Sequence, residues 1–174
     1  MSFLYIGPSG LPLSTRGHGI ADGLRRISEL GLTAMEIGWV HGARTGDADC
    51  AAIKQVKEKY ALGLTAHGSY YINLNAAEPE KLTASRARIV QAVQKSYLAG
   101  VEKMVFHAAF YLDTPRSLVL SRVIEQLKLI NQSLTAVERD QVTISVETTG
   151  KETQFGDLDE VIAVAKVFDN VRPC

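Results

Sequence analysis

Short apolar runs alternate with longer amphipathic segments along this chain. The short runs are rich in β-branched and aromatic residues and end at glycine or at a polar residue, as is typical of β-strands. They predict five strands and the beginning of a sixth, at residues 3–7, 34–39, 62–66, 103–107, 142–147 and 171–174. The longer segments repeat apolar residues every three or four positions, as α-helices do. They predict helices at residues 18–30, 49–60, 79–99, 115–136 and 157–168.

Glycine, proline and aspartate mark several of the predicted helix boundaries. Gly31 and Gly100 follow the first and third helices, where a glycine often ends a helix. Pro115 lies near the first turn of the fourth helix, where its missing N–H costs little, and Asp157 is the expected N-cap of the last helix. Strict alternation of strands and helices predicts right-handed βαβ crossovers and a parallel sheet.

Two architectures satisfy this alternation. An open, doubly wound sheet is completed by five or six strands, and it is the default if the 174 residues are a whole protein. A (β/α)8 barrel normally needs about 250 residues, so this chain would supply five βα units and the start of strand six. The apolar content of 46% and the charged content of 22% are those of a globular protein. A single domain over residues 1–174 is therefore expected.

Charge, cysteine content and hydropathy exclude several protein classes. The 19 basic and 19 acidic residues balance, so no global basic excess points to nucleic acid, although a local basic face is still compatible. No apolar run approaches the ~20 residues that span a bilayer, and the N-terminus does not resemble a secretory signal. Cys50 and Cys174 form no disulfide framework. A soluble protein of the reducing cytoplasm is expected.

Three predicted strands end in side chains that can bind a metal. His67 follows the third strand, His107 ends the fourth and Glu147 ends the fifth, with 40 residues between successive members. Ligands of parallel α/β folds bind beyond the carboxyl ends of the strands, and neighbouring strands lie about 4.8 Å apart. Two imidazoles and a carboxylate leave a position for water, as at catalytic zinc, where the pKa of that water falls toward ~7.

The remaining histidines and acids give a weaker pattern. A single histidine at a strand end is more often a hydrogen-bonded structural residue than a ligand, but three matched positions favour a metal. His18 and His41 have no matched position and are expected to be solvated. Glu36, in the second strand, could face the same end or pair with a basic residue below the rim.

The segment after the third strand resembles a known family. Residues 67–74, His-Gly-Ser-Tyr-Tyr-Ile-Asn-Leu, are similar to the His-x-Ser-Tyr-x-Ile-Asn-Leu segment of endonuclease IV, a family of apurinic/apyrimidinic endonucleases. Phe106-His107 is similar to the family's fourth-strand histidine, and residues 146–150 resemble its Glu-Asn-Thr-Ala-Gly segment. Thr148 replaces the family's asparagine, and Ala108-Ala-Phe replaces its Pro-Gly after the histidine. The chain therefore resembles a divergent branch.

The resemblance implies a xylose isomerase-like (β/α)8 TIM barrel with up to three zinc ions in its C-terminal mouth. Such an enzyme hydrolyses the phosphodiester 5′ to an abasic site in damaged double-stranded DNA. His67 and His107 would bind one zinc, and Glu147 would bridge it to a second as the catalytic carboxylate. Tyr70 would face the DNA, and Arg44, in the loop after the second strand, is a candidate for phosphate contact or insertion.

The same resemblance bears on the length of the chain. The remaining family ligands lie from strand six onward, so the sequence is expected to be truncated after strand five, and the 174-residue chain alone could be inactive. Without the last strands a barrel cannot close, which leaves two unpaired edges and an exposed interior. The full-length enzyme is expected to be a monomer with no membrane partner.

Other functions stay open at this point. A metal-dependent sugar isomerase or epimerase of the xylose isomerase-like barrels would use the same strand-end site, with Glu147 beside an enediolate. A half-barrel serving as an interaction module would have no catalytic role. Tyr70 and Tyr71 could be one exposed and one packed ring. Basic residues of the third helix are interpreted as a solvated outer face, namely Arg86, Arg88 and Lys95.

Overall fold

The structure, a computed structural model, describes residues 4–174. Within that range helices and strands alternate with short connections. The helices are α1 Ile20–Glu29, α2 Asp47–Tyr60, α3 Pro79–Ala99, α4 Arg116–Gln132, α5 Ala136–Gln141 and α6 Leu158–Ala165. The strands are β1 Ala34–Gly38, β2 Gly63–His67, β3 Lys103–Phe106, β4 Ala109–Phe110, β5 Thr143–Val146, β6 Gln154–Phe155 and β7 Val171–Pro173.

Five strands form one parallel sheet in the order β1-β2-β3-β5-β7. The strands follow one another in chain order, whereas a doubly wound sheet reverses its order at a switch point. Successive helices also pack on one another, α1 on α2, α2 on α3 and α3 on α4. This arrangement is the wall of a partial (β/α)8 barrel, and it decides between the two predicted architectures.

The hydrophobic core lies between the sheet and its layer of helices. In β1, Met35 and Ile37 are buried, whereas Glu36 between them is partly exposed. The core side chains of the next strands are Leu64, Ala66, Met104, Phe106, Ile144 and Val146. Because side chains alternate along a strand, the other positions face the inner side of the barrel wall. The strand-end residues His67, His107 and Glu147 belong to that inner set.

One predicted helix is wrong. The predicted helix at residues 115–136 ends at Gln132, and α5 is a separate helix. Thr135 starts α5 with a capping box, because its hydroxyl accepts from the backbone N–H of Glu138 while the Glu138 carboxylate accepts from the N–H of Thr135. A reciprocal cap of this kind satisfies two N–H groups that a continuous helix would bond to its own carbonyls. The boundaries predicted for α3, by contrast, are confirmed.

The first predicted strand is irregular. Phe3 lies outside the described residues, and residues 4–7 form no regular ladder. The N–H groups of Thr33 and Ala34 both donate to the carbonyl of Ile6, and Ser9 forms an isolated parallel bridge with Glu36. Pro8 has no N–H to continue a ladder. The segment therefore lies along β1 without becoming a strand.

Two short strands that the sequence pattern does not predict lie beyond the carboxyl ends of the sheet. β4 follows β3 closely and pairs in antiparallel register with β6, which follows β5. Ala109 is opposite Phe155, and Phe110 is opposite Gln154. This ribbon joins the loops that follow His107 and Glu147.

Candidate metal centre

His67, His107 and Glu147 converge at the carboxyl ends of β2, β3 and β5. Nε2 of His67 lies 3.0 Å from Oε2 of Glu147, and Nε2 of His107 lies 3.4 Å from the same oxygen. The two imidazole rings are 5.6 Å apart between centroids. The structure thus brings together the three residues that the sequence predicts as metal ligands.

The ring of His67 is held in a defined tautomer. Its Nδ1 lies 2.9 Å from the carbonyl oxygen of Gly68, and because a carbonyl can only accept, Nδ1 carries the proton. In the neutral ring the lone pair is then on Nε2, which faces Glu147. Nε2 of His67 and Oε2 of Glu147 are then both hydrogen-bond acceptors. At a separation of 3.0 Å such a pair is stabilised by a proton that they share or by a bound cation. A hydrogen bond from the other ring nitrogen is a usual support of metal-binding histidines.

His107 differs from His67 in its support. Burial lowers the pKa of His107, although the Glu147 carboxylate acts in the opposite direction. A neutral imidazole is the form that binds metals. Nδ1 of His107 is buried, and among residues 4–174 it has no hydrogen-bond partner. Nε2, which lies 3.4 Å from Oε2 of Glu147, is the ring nitrogen that faces the cluster.

The three side chains fit a divalent metal. Their ligand atoms all lie within 4.8 Å of one another. Ligand atoms at about 2.1 Å from a tetrahedral zinc are roughly 3.4 Å apart, which is close to the two distances to Glu147. The side chains are partly exposed, at 14% for His67, 33% for His107 and 34% for Glu147, so the cluster is open on one side.

Two glycines allow the rim loops to approach the cluster. The N–H of Gly68 donates to the carbonyl of Val105 at 2.7 Å, and a Cβ on Gly68 would lie 3.2 Å from the sulfur of Met104. Gly156 has a φ of +144°, and a Cβ there would lie 2.8 Å from the carbonyl oxygen of Glu147. A larger residue at either position would push the loop away from a proposed ligand.

Two exposed tyrosines lie beside the cluster. The ring of Tyr70 is 5.6 Å from the ring of His67, and 60% of Tyr70 is exposed. Tyr71 is equally exposed, so the alternative of one packed ring is wrong. Tyr71 lies between the ring of His41, 6.1 Å away, and the guanidinium of Arg88, 5.8 Å away.

The other candidate residues lie apart from the cluster. Arg44 is exposed in the loop after β1. This loop contacts the loop after β2, because the N–H of Tyr70 donates a hydrogen bond to the carbonyl of Val40. His18 is exposed before α1. Glu36 accepts a hydrogen bond from the Ser9 hydroxyl at 2.7 Å, and within residues 4–174 no lysine or arginine forms an ion pair with it.

The three basic residues of the third helix are partly exposed, in line with an outer face, and they also have partners on other elements. Arg88 donates to the carbonyl of Tyr71, Arg86 donates to the side chain of Gln126, and Lys95 pairs with Asp47. These side chains bind neighbouring elements. The sequence pattern also missed a set of buried polar residues behind the rim, which are Asn75, Gln126 and Glu160. For one of them, Glu160, the sequence contains an indication, because Asp157-x-x-Glu160 is the pattern of a capping box.

The fold and the strand-end cluster define a (β/α)8-type protein with a candidate metal site. Over residues 24–174 the chain matches the xylose isomerase-like TIM barrel family, and it belongs to that family. It is 34% identical over 172 residues to an uncharacterized protein of Methanocaldococcus jannaschii, which covers 98% of this chain and 60% of that protein. It is 35% identical over 100 residues to a probable endonuclease 4 of Chlorobium luteolum. This match covers 56% of this chain and 34% of that protein.

Solved structures give the same fold. Endonuclease IV of Thermus thermophilus is 26% identical with a TM-score of 0.67, over 90% of this chain and 58% of that chain. D-Psicose 3-epimerase of Clostridium cellulolyticum is 15% identical with a TM-score of 0.71, over 90% and 57%. The chain thus spans about 60% of the length of these proteins. Within residues 4–174 no helix is both long and apolar enough to cross a membrane.

Proposed function

We propose that this chain is part of a zinc-dependent DNA repair endonuclease that hydrolyses the phosphodiester 5′ to abasic sites. The relatives that are named endonuclease 4 support a hydrolase, and the Thermus thermophilus endonuclease IV has the same fold and is 26% identical over the aligned residues. The enzyme acts on damaged double-stranded DNA in this proposal, and the cytoplasm is its compartment.

The observation that carries the proposal is the exposed Tyr70 ring beside the strand-end cluster. Tyr70 lies 5.6 Å from the ring of His67 and is 60% exposed, so an aromatic face is open next to the candidate metal. A base or a deoxyribose can stack on such a face while its phosphate reaches the cluster.

Each residue then has a defined role. His67, His107 and Glu147 would hold one zinc, and Oε2 of Glu147 is the oxygen that both rings face. Glu147 would also help to hold a second ion. A bound divalent metal neutralises phosphate charge and supplies a nucleophile at neutral pH. Tyr70 contacts the DNA, and Arg44, exposed in the loop after β1, contacts a phosphate.

The competing function is epimerisation or isomerisation of a sugar. D-Psicose 3-epimerase shares the fold at 15% identity, which is a likeness of fold alone. In that case Glu147 would lie beside an enediolate and the tyrosines would have no role in binding a polymer.

A nicking assay separates the two functions. The full-length protein that contains this chain is incubated with a duplex that contains one abasic site, with an intact duplex, and with D-fructose, each with zinc and with a chelator. We expect a break 5′ to the abasic site that the chelator abolishes and added zinc restores, with no change in the other two substrates. A metal-loaded protein that leaves the abasic duplex intact would contradict the proposal, and epimerised sugar would establish the competing function.

A further inference from the structure

The loops after β2 and β3 are joined behind the candidate metal centre. The Nδ2 group of Asn75 donates to the carbonyl oxygens of Phe110, at 2.9 Å, and Tyr111, at 3.0 Å. Oδ1 of Asn73 accepts from the N–H of Phe110 at 3.3 Å. Arg122, on α4, donates to Oδ1 of Asn75 at 2.8 Å. The segment that follows His107 is therefore fixed from the β2 side.

The same segment is joined to the loop after β5. The N–H of Tyr111 donates to the carbonyl of Thr153 at 3.0 Å, and the Tyr111 hydroxyl donates to Oε2 of Glu160 at 2.6 Å. Glu160 is only 8% exposed. The same Oε2 accepts from the N–H groups of Gly156, at 3.1 Å, and Asp157, at 3.2 Å. One buried carboxylate therefore ties Tyr111 to the start of α6.

These bonds form a closed path between two proposed metal ligands. Tyr111 lies four residues after His107. On the other side, the N–H of Thr149 donates to the carbonyl of Gly156 at 2.9 Å, and Thr149 lies two residues after Glu147. One path from His107 to Glu147 therefore passes through the side-chain hydrogen bond from Tyr111 to Glu160, beside the β4–β6 ladder and the hydrogen bond from the N–H of Glu147 to the carbonyl of Phe106.

The hydrogen bond from Tyr111 to Glu160 is well supported. Burial, and secondarily the hydrogen bond to Glu160, raises the pKa of Tyr111, so the phenol keeps its proton and stays a donor. The guanidinium of Arg116 lies 4.5 Å from the centroid of the Tyr111 ring and also pairs with Asp157 at 2.8 Å. A hydrogen bond to a buried carboxylate is stronger than one between neutral groups.

We propose that Tyr111 and Glu160 are positioning residues of the metal centre. They hold the loop after β3 against the loop after β5, and together with the β4–β6 ladder they fix the position of His107 relative to Glu147. The inference rests on the proposed function, because it takes those two residues and His67 as the metal ligands. Neither Tyr111 nor Glu160 contacts the ligand atoms, so their effect is on geometry.

The chain contains a matched control for Glu160. Glu138 is also a buried glutamate, 9% exposed, in the third position of a capping box, that of α5. Its carboxylate accepts from the N–H of Thr135, as that of Glu160 accepts from Asp157. The difference is the tyrosine, because only Glu160 is bound by Tyr111. Glu138→Gln therefore reports the cost of weakening a capping box away from the metal centre.

The test compares metal affinity with thermal stability in the full chain. Tyr111→Phe, Glu160→Gln, the double variant and Glu138→Gln are titrated with zinc in competition with a chromophoric chelator, and the metal-free proteins are melted. We expect Tyr111→Phe and Glu160→Gln each to weaken zinc binding by about 10–100-fold, the range for residues that support metal ligands. The double variant should bind zinc no more weakly than the more impaired single variant, because Tyr111 and Glu160 act as a unit. Glu138→Gln should lower the melting temperature without changing zinc affinity.

Each other outcome contradicts a distinct claim. If Tyr111→Phe and Glu160→Gln lower the melting temperature as Glu138→Gln does but bind zinc like the wild type, the pair is only a brace and the inference is wrong. Equal weakening by Glu138→Gln would also overturn it, since the effect would then follow stability. A wild-type chain that binds neither zinc nor manganese would overturn the proposed function itself, together with this inference.

Discussion

Nε2 of His67 lies 3.0 Å from Oε2 of Glu147, although β3 lies between their strands in the sheet. Strands that are two positions apart in a flat sheet are separated by about 9.6 Å, too far for parallel side chains to meet. The inner side of the barrel wall is concave, so side chains that stand on it turn toward one another. The candidate metal centre is thus a consequence of the curvature of the wall as well as of the residues at the strand ends.

Removal of one proposed ligand should abolish tight metal binding. We expect His67→Ala to weaken zinc binding by at least about 100-fold. Residues that only support a ligand change metal affinity by up to about 100-fold, and loss of a ligand itself should cost no less. Isothermal titration with zinc measures the affinity. His18→Ala is the control, because His18 is exposed before α1 and outside the cluster. Unchanged zinc affinity in His67→Ala would mean that the metal binds elsewhere, and an equal loss in His18→Ala would mean that the loss is not specific to the cluster.

A methyl group at Gly156 should displace the loop that carries Glu147. Gly156→Ala places a Cβ 2.8 Å from the Glu147 carbonyl oxygen at a φ of +144°, so we expect a loss of about 1–3 kcal/mol in the free energy of unfolding and weaker zinc binding. Chemical denaturation measures the first effect. Gly150→Ala, in the same loop, meets nothing within 4 Å and should be neutral. An unchanged Gly156→Ala protein would show that the backbone there is not constrained.

The exposed ring of Tyr70 should contribute to DNA binding. Tyr70→Ala removes a stacking face, for which we expect a loss of about 1–3 kcal/mol in the binding of an abasic duplex. Fluorescence anisotropy with a labelled duplex measures the affinity. Tyr60→Ala is the matched control, since Tyr60 is a partly exposed tyrosine at the far end of α2. Equal affinities for Tyr70→Ala and the wild type would remove the observation on which the proposed function depends.

Arg44 should contribute to DNA binding through its positive charge. If its guanidinium neutralises one phosphate, Arg44→Ala lowers the slope of log K against log salt by about 1. The slope is measured from anisotropy titrations at several salt concentrations. Lys59→Ala removes a cation near the C-terminus of α2 and should leave the slope unchanged. A slope that does not change in Arg44→Ala would show that this residue makes no phosphate contact.

Features that depend on local pattern could be predicted from the sequence. The boundaries of α3 follow from Pro79 at its start and from Gly100, which has a φ of +70° after its end. The strand ends that bear His67 and His107 follow from apolar runs that stop at a polar residue. In each case the determining residues lie within a few positions of the feature, so one stretch of sequence contains the information.

Features that depend on contacts between distant segments could not be predicted from the sequence. β4 and β6 have two residues each, too few to give a pattern, and they exist because their partners lie across the rim. Tyr111 and Glu160 are 49 residues apart, and nothing near either one indicates the other. The sequence predicts a solvated Arg88 because its helix lies on the outside of the barrel, but it does not indicate that the loop after β2 brings the Tyr71 carbonyl to this side chain. The break between α4 and α5 is different, since the Thr135-x-x-Glu138 capping box was visible in the sequence.

The most direct test of the central claim is the position of a bound metal. Crystals of the full chain soaked in zinc, with diffraction recorded on both sides of the zinc absorption edge, locate the ion by its anomalous difference. We expect a peak about 2.0–2.2 Å from a ring nitrogen of His67, a ring nitrogen of His107 and a carboxylate oxygen of Glu147, and no such peak in His67→Ala. A zinc-saturated wild-type protein without a peak between these three residues would contradict it.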